Sequence, residues 1–297
     1  MHRLKTLEIV GKLQMKLRPT SRSFYLLPCL YLCAAGLLLS SWGCATPQSA
    51  RVALVVGNGD YLHTTPLKSP SQDARVMGEQ LEATGWRVTT AIDRPVDELN
   101  QALTSFEKEA SNADQVIFFY AGHAMQIDGE NYMVPVGFEP RTAAIDTGLV
   151  SLNQAVESLR SGGAQLAILV DACRENPLTA EFERASVRES SRPAEGKVRT
   201  RLRFEPGLAE LPGGLDTFVA FATAPGHVAF DGTRDHSPFT RALLSHIAVP
   251  GEDIRTVFQK VRRDVVEYTK GSQVPWDYSS LSAGFWINSA PTPADGQ

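Results

Sequence analysis

Two residues of this 297-residue chain have the chemistry of a nucleophile and its base. Cys173 stands just beyond the apolar run Leu166-Ala167-Ile168-Leu169-Val170, and His123 just beyond Val116-Ile117-Phe118-Phe119-Tyr120. They are 50 positions apart. A thiol attacks only as thiolate, and a neighbouring imidazole generates one by taking the proton. The same imidazole can later return that proton to a leaving amine. The tetrahedral oxyanion then needs backbone donors, for which the N–H groups of Cys173 and of Ala124, directly after His123, are placed. Gly122 permits an unusual turn beside His123. Each residue alone has a plainer reading, a core cysteine and a histidine in a turn. Both lie at strand ends, and together they point to a cysteine hydrolase. A Cys–His pair requires no third member, and none is assigned.

The elements that must position this pair alternate along the chain. Val52–Val56, Trp86–Ile92, Gln115–Tyr120 and Leu166–Val170 read as strands. Ser71–Ala83, Val96–Phe106 and Leu152–Leu159 carry apolar residues at helical spacing. Asn131–Val136 reads as a short extended piece. Thr217–Thr223 is a further strand, Pro238–Ile247 and Ile254–Tyr268 are helices, and Gly284–Ile287 is expected as the last strand. Such alternation implies an α/β fold: a mostly parallel central sheet of about six strands with helices on both faces. Sites in these sheets form at the carboxyl ends of the strands, where His123 and Cys173 fall. Residues 178–215 interrupt the pattern with Pro193, Pro206 and Pro212 and a basic run, Arg184, Arg188, Arg192, Lys197, Arg199, Arg201 and Arg203. A stretch of that length without periodicity is a functional loop or a disordered one.

The first 50 residues stand apart from this globule. Arg3, Lys5, Lys12, Lys16, Arg18 and Arg22 precede the uncharged run Phe24–Trp42. That order reads as a signal or anchor that leaves the rest of the chain exported, on the periplasmic side of the envelope. The run ends in Ser40-Ser41-Trp42-Gly43-Cys44, which resembles a bacterial lipoprotein signal with Cys44 as the lipidated residue. An uncleaved membrane anchor and a plain cleaved signal are the alternatives. Cys29, Cys33 and Cys44 belong to this segment, so Cys173 is the single thiol of the globule. Beyond residue 43 the chain keeps 23 basic and 32 acidic residues, a net charge of −9 against −4 for the whole. That disfavours a nucleic-acid partner and suits a basic peptide. No cofactor or metal is expected. Gly57-Asn58-Gly59 lacks the third glycine of a dinucleotide loop, His63, His227, His236 and His246 lack metal-ligand spacing, and no calcium loop is evident.

Several ordered motifs resemble the bacterial caspase-like peptidases, the metacaspase and orthocaspase relatives. They are Val55-Val56-Gly57-Asn58-Gly59-Asp60-Tyr61, Asp73-Ala74-Arg75, Tyr120-Ala121-Gly122-His123, Asn131-Tyr132-Met133-Val134-Pro135, Asp171-Ala172-Cys173-Arg174-Glu175-Asn176-Pro177 and Phe221-Ala222-Thr223-Ala224-Pro225-Gly226. Ser237-Pro238-Phe239-Thr240 and Gln273-Val274-Pro275-Trp276 complete the set. The resemblance covers about residues 51–288 and implies a caspase-like three-layer α/β/α sandwich. It leaves 1–50 as signal or anchor and linker, and 289–297 as a disordered tail. It implies Cys173 as nucleophile and His123 as general base. It also implies cleavage after Arg or Lys, with Asp73 and Asp171 in the acidic S1 pocket. Two carboxylates suit a guanidinium or ammonium, although Asp at a helix start or turn also caps it. The basic run 184–203 resembles the linker that relatives cut in themselves, or it is a solvated charged segment. One position departs from the family: Ala124 stands where a glycine is usual. If the oxyanion geometry there needs positive φ, alanine costs about 1 kcal/mol or more. A non-cleaving member that binds peptides in the same cleft is the alternative.

Overall fold

The computed structural model describes residues 50–141, 144–173, 203–205, 207–225, 227, 229–232 and 235–289. Nine strands and six helices lie within them. The main sheet has the order β2-β1-β3-β6-β8-β9. Its members are β1 (Arg51–Gly57), β2 (Arg87–Ile92), β3 (Gln115–Ile127), β6 (Gln165–Cys173), β8 (Thr217–Phe221) and β9 (Trp276–Ser279). All neighbours pair in parallel except β9, which runs antiparallel to β8.

The apolar runs are continuous because both faces of these strands are covered. Successive side chains alternate between faces. Val52, Leu54 and Val56, with Phe118, Tyr120, Ile168 and Val170, pack on one side against α2 (Val96–Ala110) and α4 (Leu152–Arg160). Ala53 and Val55, with Ile117, Phe119 and Leu169, face the other side. There α1 (Pro70–Ala83), α5 (Pro238–His246) and α6 (Ile254–Tyr268) complete the second layer. The expected three-layer α/β/α sandwich around a six-stranded, mostly parallel sheet is what forms.

The local expectations need four corrections. First, β3 does not stop at Tyr120. It continues through His123 to Ile127 and leaves the main sheet to form a hairpin with β4 (Glu130–Met133). Gly122, at φ +150, carries the chain through that departure. A short helix α3 (Ile145–Gly148) and β5 (Val150–Ser151), which pairs with β4, follow the hairpin. Second, Gly284–Ile287 is not a strand. Phe285 and Ile287 are buried singly, Phe285 stacked on Trp86 at 5.9 Å, and Trp286 makes one isolated bridge to Asp253. Third, the last strand is β9, whose Trp-Asp-Tyr-Ser sequence is polar and half-exposed because it lies at the sheet edge. Fourth, the end of the 178–215 interruption is anchored: β7 (Phe204–Glu205) pairs with β3, and Leu208 and Leu211 join the core.

Residues 1–49, including the run Phe24–Trp42 and Cys44, lie outside the described residues, as do 174–202 of the basic linker and the tail beyond 289. Among the described residues no helix is long and apolar enough to cross a membrane.

Candidate active site

The register of the two central strands brings the expected pair together. β3 and β6 run in step from Gln115 opposite Gln165 to His123 opposite Cys173 as Cα partners. His123 is thus a strand residue at the point where β3 leaves the main sheet, and Cys173 is the last residue of β6.

The His123 ring is buried and held in one tautomer. Nε2 lies 2.8 Å from the carbonyl oxygen of Thr65. A carbonyl only accepts, so Nε2 carries the proton and Nδ1 presents its lone pair. Nδ1 is buried and has no hydrogen-bond partner among the described residues. Burial pulls the imidazole pKa below its ordinary value of 6.5, against a smaller upward effect of the Thr65 carbonyl. The ring is therefore neutral at pH 7, the state a general base needs. Sequence reasoning assigned no third member to this pair; the structure supplies the Thr65 carbonyl. A backbone oxygen leaves no residue-type signal.

The peptide of His123 is equally constrained. Its N–H donates to the Tyr61 hydroxyl at 2.7 Å, and its carbonyl accepts from the Val134 N–H at 3.0 Å. The Val134 N–H donates to the His123 carbonyl, and Ala124 stands opposite Met133 in the β3–β4 register. Successive peptides of a strand face alternate edges, so Ala124 turns its N–H away from β4. Ala124 does not have positive φ, and its side chain is buried in the core. The strained conformation belongs to Gly122, where this chain keeps glycine. The backbone penalty expected for Ala124 does not arise.

A second cluster lies beside this pair. Asp73, on the first turn of α1, and Asp171, near the end of β6, line one concavity with Ala121 and Gly122 of β3. The concavity is narrow, with a cavity volume of about 20 Å³, room for about one water. Ser237, the N-cap of α5, organises both acids. Its N–H donates to Asp73 Oδ2 at 3.2 Å, and its hydroxyl to Asp171 Oδ2 at 2.5 Å. Thr240 Oγ1 donates to the same Asp171 oxygen at 2.7 Å, and His236 Nδ1 lies 2.7 Å from Asp73 Oδ1. The capping signature Ser-Pro-Phe-Thr thus doubles as a carboxylate cradle at a helix N-terminus, where negative charge is favoured.

Even so, burial dominates. It raises the Asp73 carboxyl to about 7, and it raises Asp171 likewise to about 7, with repulsion from Asp73 adding to the effect. Among the described residues lining the concavity there is no lysine or arginine.

A third acid completes the lining. Asp231 precedes α5 and accepts from the N–H groups of Lys68 and Ser69, at 2.7 and 3.0 Å, and from the Ser69 hydroxyl at 2.7 Å. Sequence reasoning missed it. Its partners lie more than 160 residues away in a stretch without periodicity. Among the described residues no group of His, Cys, Asp or Glu could hold a metal ion.

The model of a peptidase C14 family, the caspase domain, matches residues 50–285. The human mucosa-associated lymphoid tissue lymphoma translocation protein 1 is 29% identical over 86 residues. The match covers 29% of this chain and 10% of that much longer protein.

Proposed function

The chain belongs to the caspase-domain family of peptidases, and from that membership we propose that it is a cysteine endopeptidase cleaving after Arg or Lys, with Cys173 as nucleophile and His123 as general base. The observation that carries the reading is the register of β3 and β6, which sets a neutral imidazole with an unspent Nδ1 lone pair opposite the only cysteine of the globule.

In this mechanism Nδ1 takes the thiol proton and the thiolate sulfur attacks the scissile carbonyl carbon. The oxyanion is met by the N–H groups of Ala124 and Cys173. The His123 N–H is not available to it, since Tyr61 accepts that hydrogen. Collapse of the tetrahedral adduct breaks the C–N bond, and His123 delivers its proton to the departing amine. Water, deprotonated by the same imidazole, then hydrolyses the thioester and frees the thiol. The P1 side chain enters beside Gly122, between Asp73, Asp171 and Asp231. A guanidinium or ammonium there supplies the positive charge that these buried carboxyls lack. Aspartate at P1 would add a like charge.

The peptide-binding, non-cleaving alternative drew its support from Ala124. Ordinary backbone geometry at that residue favours the enzymatic reading over it. The membrane tether through Phe24–Trp42 or lipidated Cys44, and self-cleavage in 184–203, extend the proposal to segments outside the described residues.

The test is to offer the full chain fluorogenic peptides ending in Arg, Lys and Asp, beside Cys173→Ala. Release after Arg and Lys by the wild type alone is expected; no turnover on any peptide overturns the enzymatic reading. On gels the wild type should be nicked within 184–203 and Cys173→Ala should stay intact. Identical bands reject self-processing.

A further inference from the structure

We propose that Tyr61 and Tyr120 are positioning residues for His123, through two phenol hydrogen bonds that clamp its backbone N–H and carbonyl. The proposal rests on the reading of His123 as the base and adds two residues to it.

Each bond has a defined direction. The His123 N–H donates to Tyr61 Oη at 2.7 Å. Tyr120 Oη donates to the His123 carbonyl at 2.5 Å and accepts the Val134 N–H at 3.3 Å. Both tyrosines are buried, and burial pushes both phenol pKa values upward, so the hydroxyls keep their protons. The Tyr61 ring also packs on the imidazole, with centroids 4.5 Å apart.

Gly122 shows how tightly the space is used. A Cβ there would come within 2.8 Å of Tyr61 Oη, 2.9 Å of Tyr120 Oη and 3.0 Å of the Asn58 carbonyl. The glycine thus makes room for the two hydroxyls as well as turning the chain. The fold has no need of either hydroxyl for burial, since phenylalanine would fill the same core. What the hydroxyls add is a fixed orientation of the His123 peptide just where β3 leaves the main sheet. The imidazole is then held at both ends, its backbone by the two phenols and its Nε2–H by Thr65.

The two hydroxyls are not equivalent. Without the Tyr61 hydroxyl the buried His123 N–H loses its acceptor, which carries a full desolvation penalty. Without the Tyr120 hydroxyl the His123 carbonyl still accepts from Val134 at 3.0 Å. Tyr61→Phe should therefore reduce kcat about tenfold and Tyr120→Phe about threefold, both with KM unchanged.

A second readout needs no substrate: alkylation of Cys173 by iodoacetamide in the full chain at pH 6.5, quantified by peptide mass mapping. A positioned imidazole makes the wild-type thiol react faster than an ordinary thiol of pKa about 8.5. Both Phe variants should slow it in the same order as they lower kcat. Fast wild-type alkylation left unchanged in Tyr61→Phe, or losses that fall on KM, overturn the phenol clamp alone. If wild-type Cys173 alkylates no faster than a free thiol, the Cys–His reading itself fails and the clamp falls with it. Should Tyr61→Phe not fold, Tyr120→Phe decides, since it leaves every His123 backbone group paired; an unchanged kcat there rejects the proposal.

Discussion

The two halves of the cleft are both buried, and burial acts on them in opposite functional senses. Around His123 it removes charge and keeps it removed. The imidazole is pushed below its usual pKa, its Nε2–H is spent on a neutral carbonyl, and its peptide is held by two un-ionised phenols. A base is thereby kept neutral and aimed. Around Asp73 and Asp171 the same loss of water also favours the uncharged form, raising both carboxyls to about 7. There the neutral state is a deficit, because the pocket becomes most acidic only when a cation arrives. One half is complete without substrate and the other is not.

That contrast can be broken in order of expected effect. His123→Ala should remove general-base catalysis and lower single-turnover cleavage about 10³-fold; a loss under tenfold would make the imidazole dispensable. Asp171→Asn should lower kcat/KM on Arg peptides about 10²-fold, with most of the change in KM. The same variant should leave alkylation of Cys173 unaltered, which separates the two halves directly.

The pH response sharpens the comparison further. With carboxyls near 7, kcat/KM for an Arg peptide should rise through about pH 7, whereas a peptide with an uncharged P1 should show no inflection there. Coincident midpoints for the two peptides would mean that the acids do not govern substrate charge. Stability follows the same linkage. A carboxyl whose folded pKa is raised from 3.8 to about 7 favours folding below pH 4, and that contribution is lost as pH climbs through 7. Asp171→Asn should therefore raise the melting temperature at pH 8 and change it little at pH 4. The smallest effect belongs to Ala124→Gly. Its φ is ordinary, so glycine relieves nothing, and activity should stay within about twofold of wild type.

Much of the fold was legible because strands covered on both faces write themselves as unbroken apolar runs. β1, β3, β6 and β8 are of that kind. The failures are equally physical. β9 is an edge strand, so Trp-Asp-Tyr-Ser needs no apolar period, while Phe285 and Ile287 imitate a strand by filling two separate holes in the core. The extension of β3 past Tyr120 was hidden by Ala-Gly, which reads as a stop but here bends a strand without ending it. At the site, residue type and place at a strand end marked the thiol and the imidazole, while the two acids came from the resemblance carried by ordered motifs. Thr65, Tyr61 and Asp231 act through a carbonyl, a phenol and a carboxylate brought in by long-range closure. Neither composition nor period marks such contacts.

The pairing of β3 with β6 also sets when the cleft can exist. His123 and Cys173 become neighbours only when strands 50 residues apart dock at the centre of the sheet, with β1 on one side and β8 on the other. Amides in such a place are the last to exchange with solvent, opening only in the global transition. Non-local closure of this kind is also slow to form. The pair is thus assembled by the same cooperative step that completes the domain, so a half-folded chain carries Cys173 without His123 beside it.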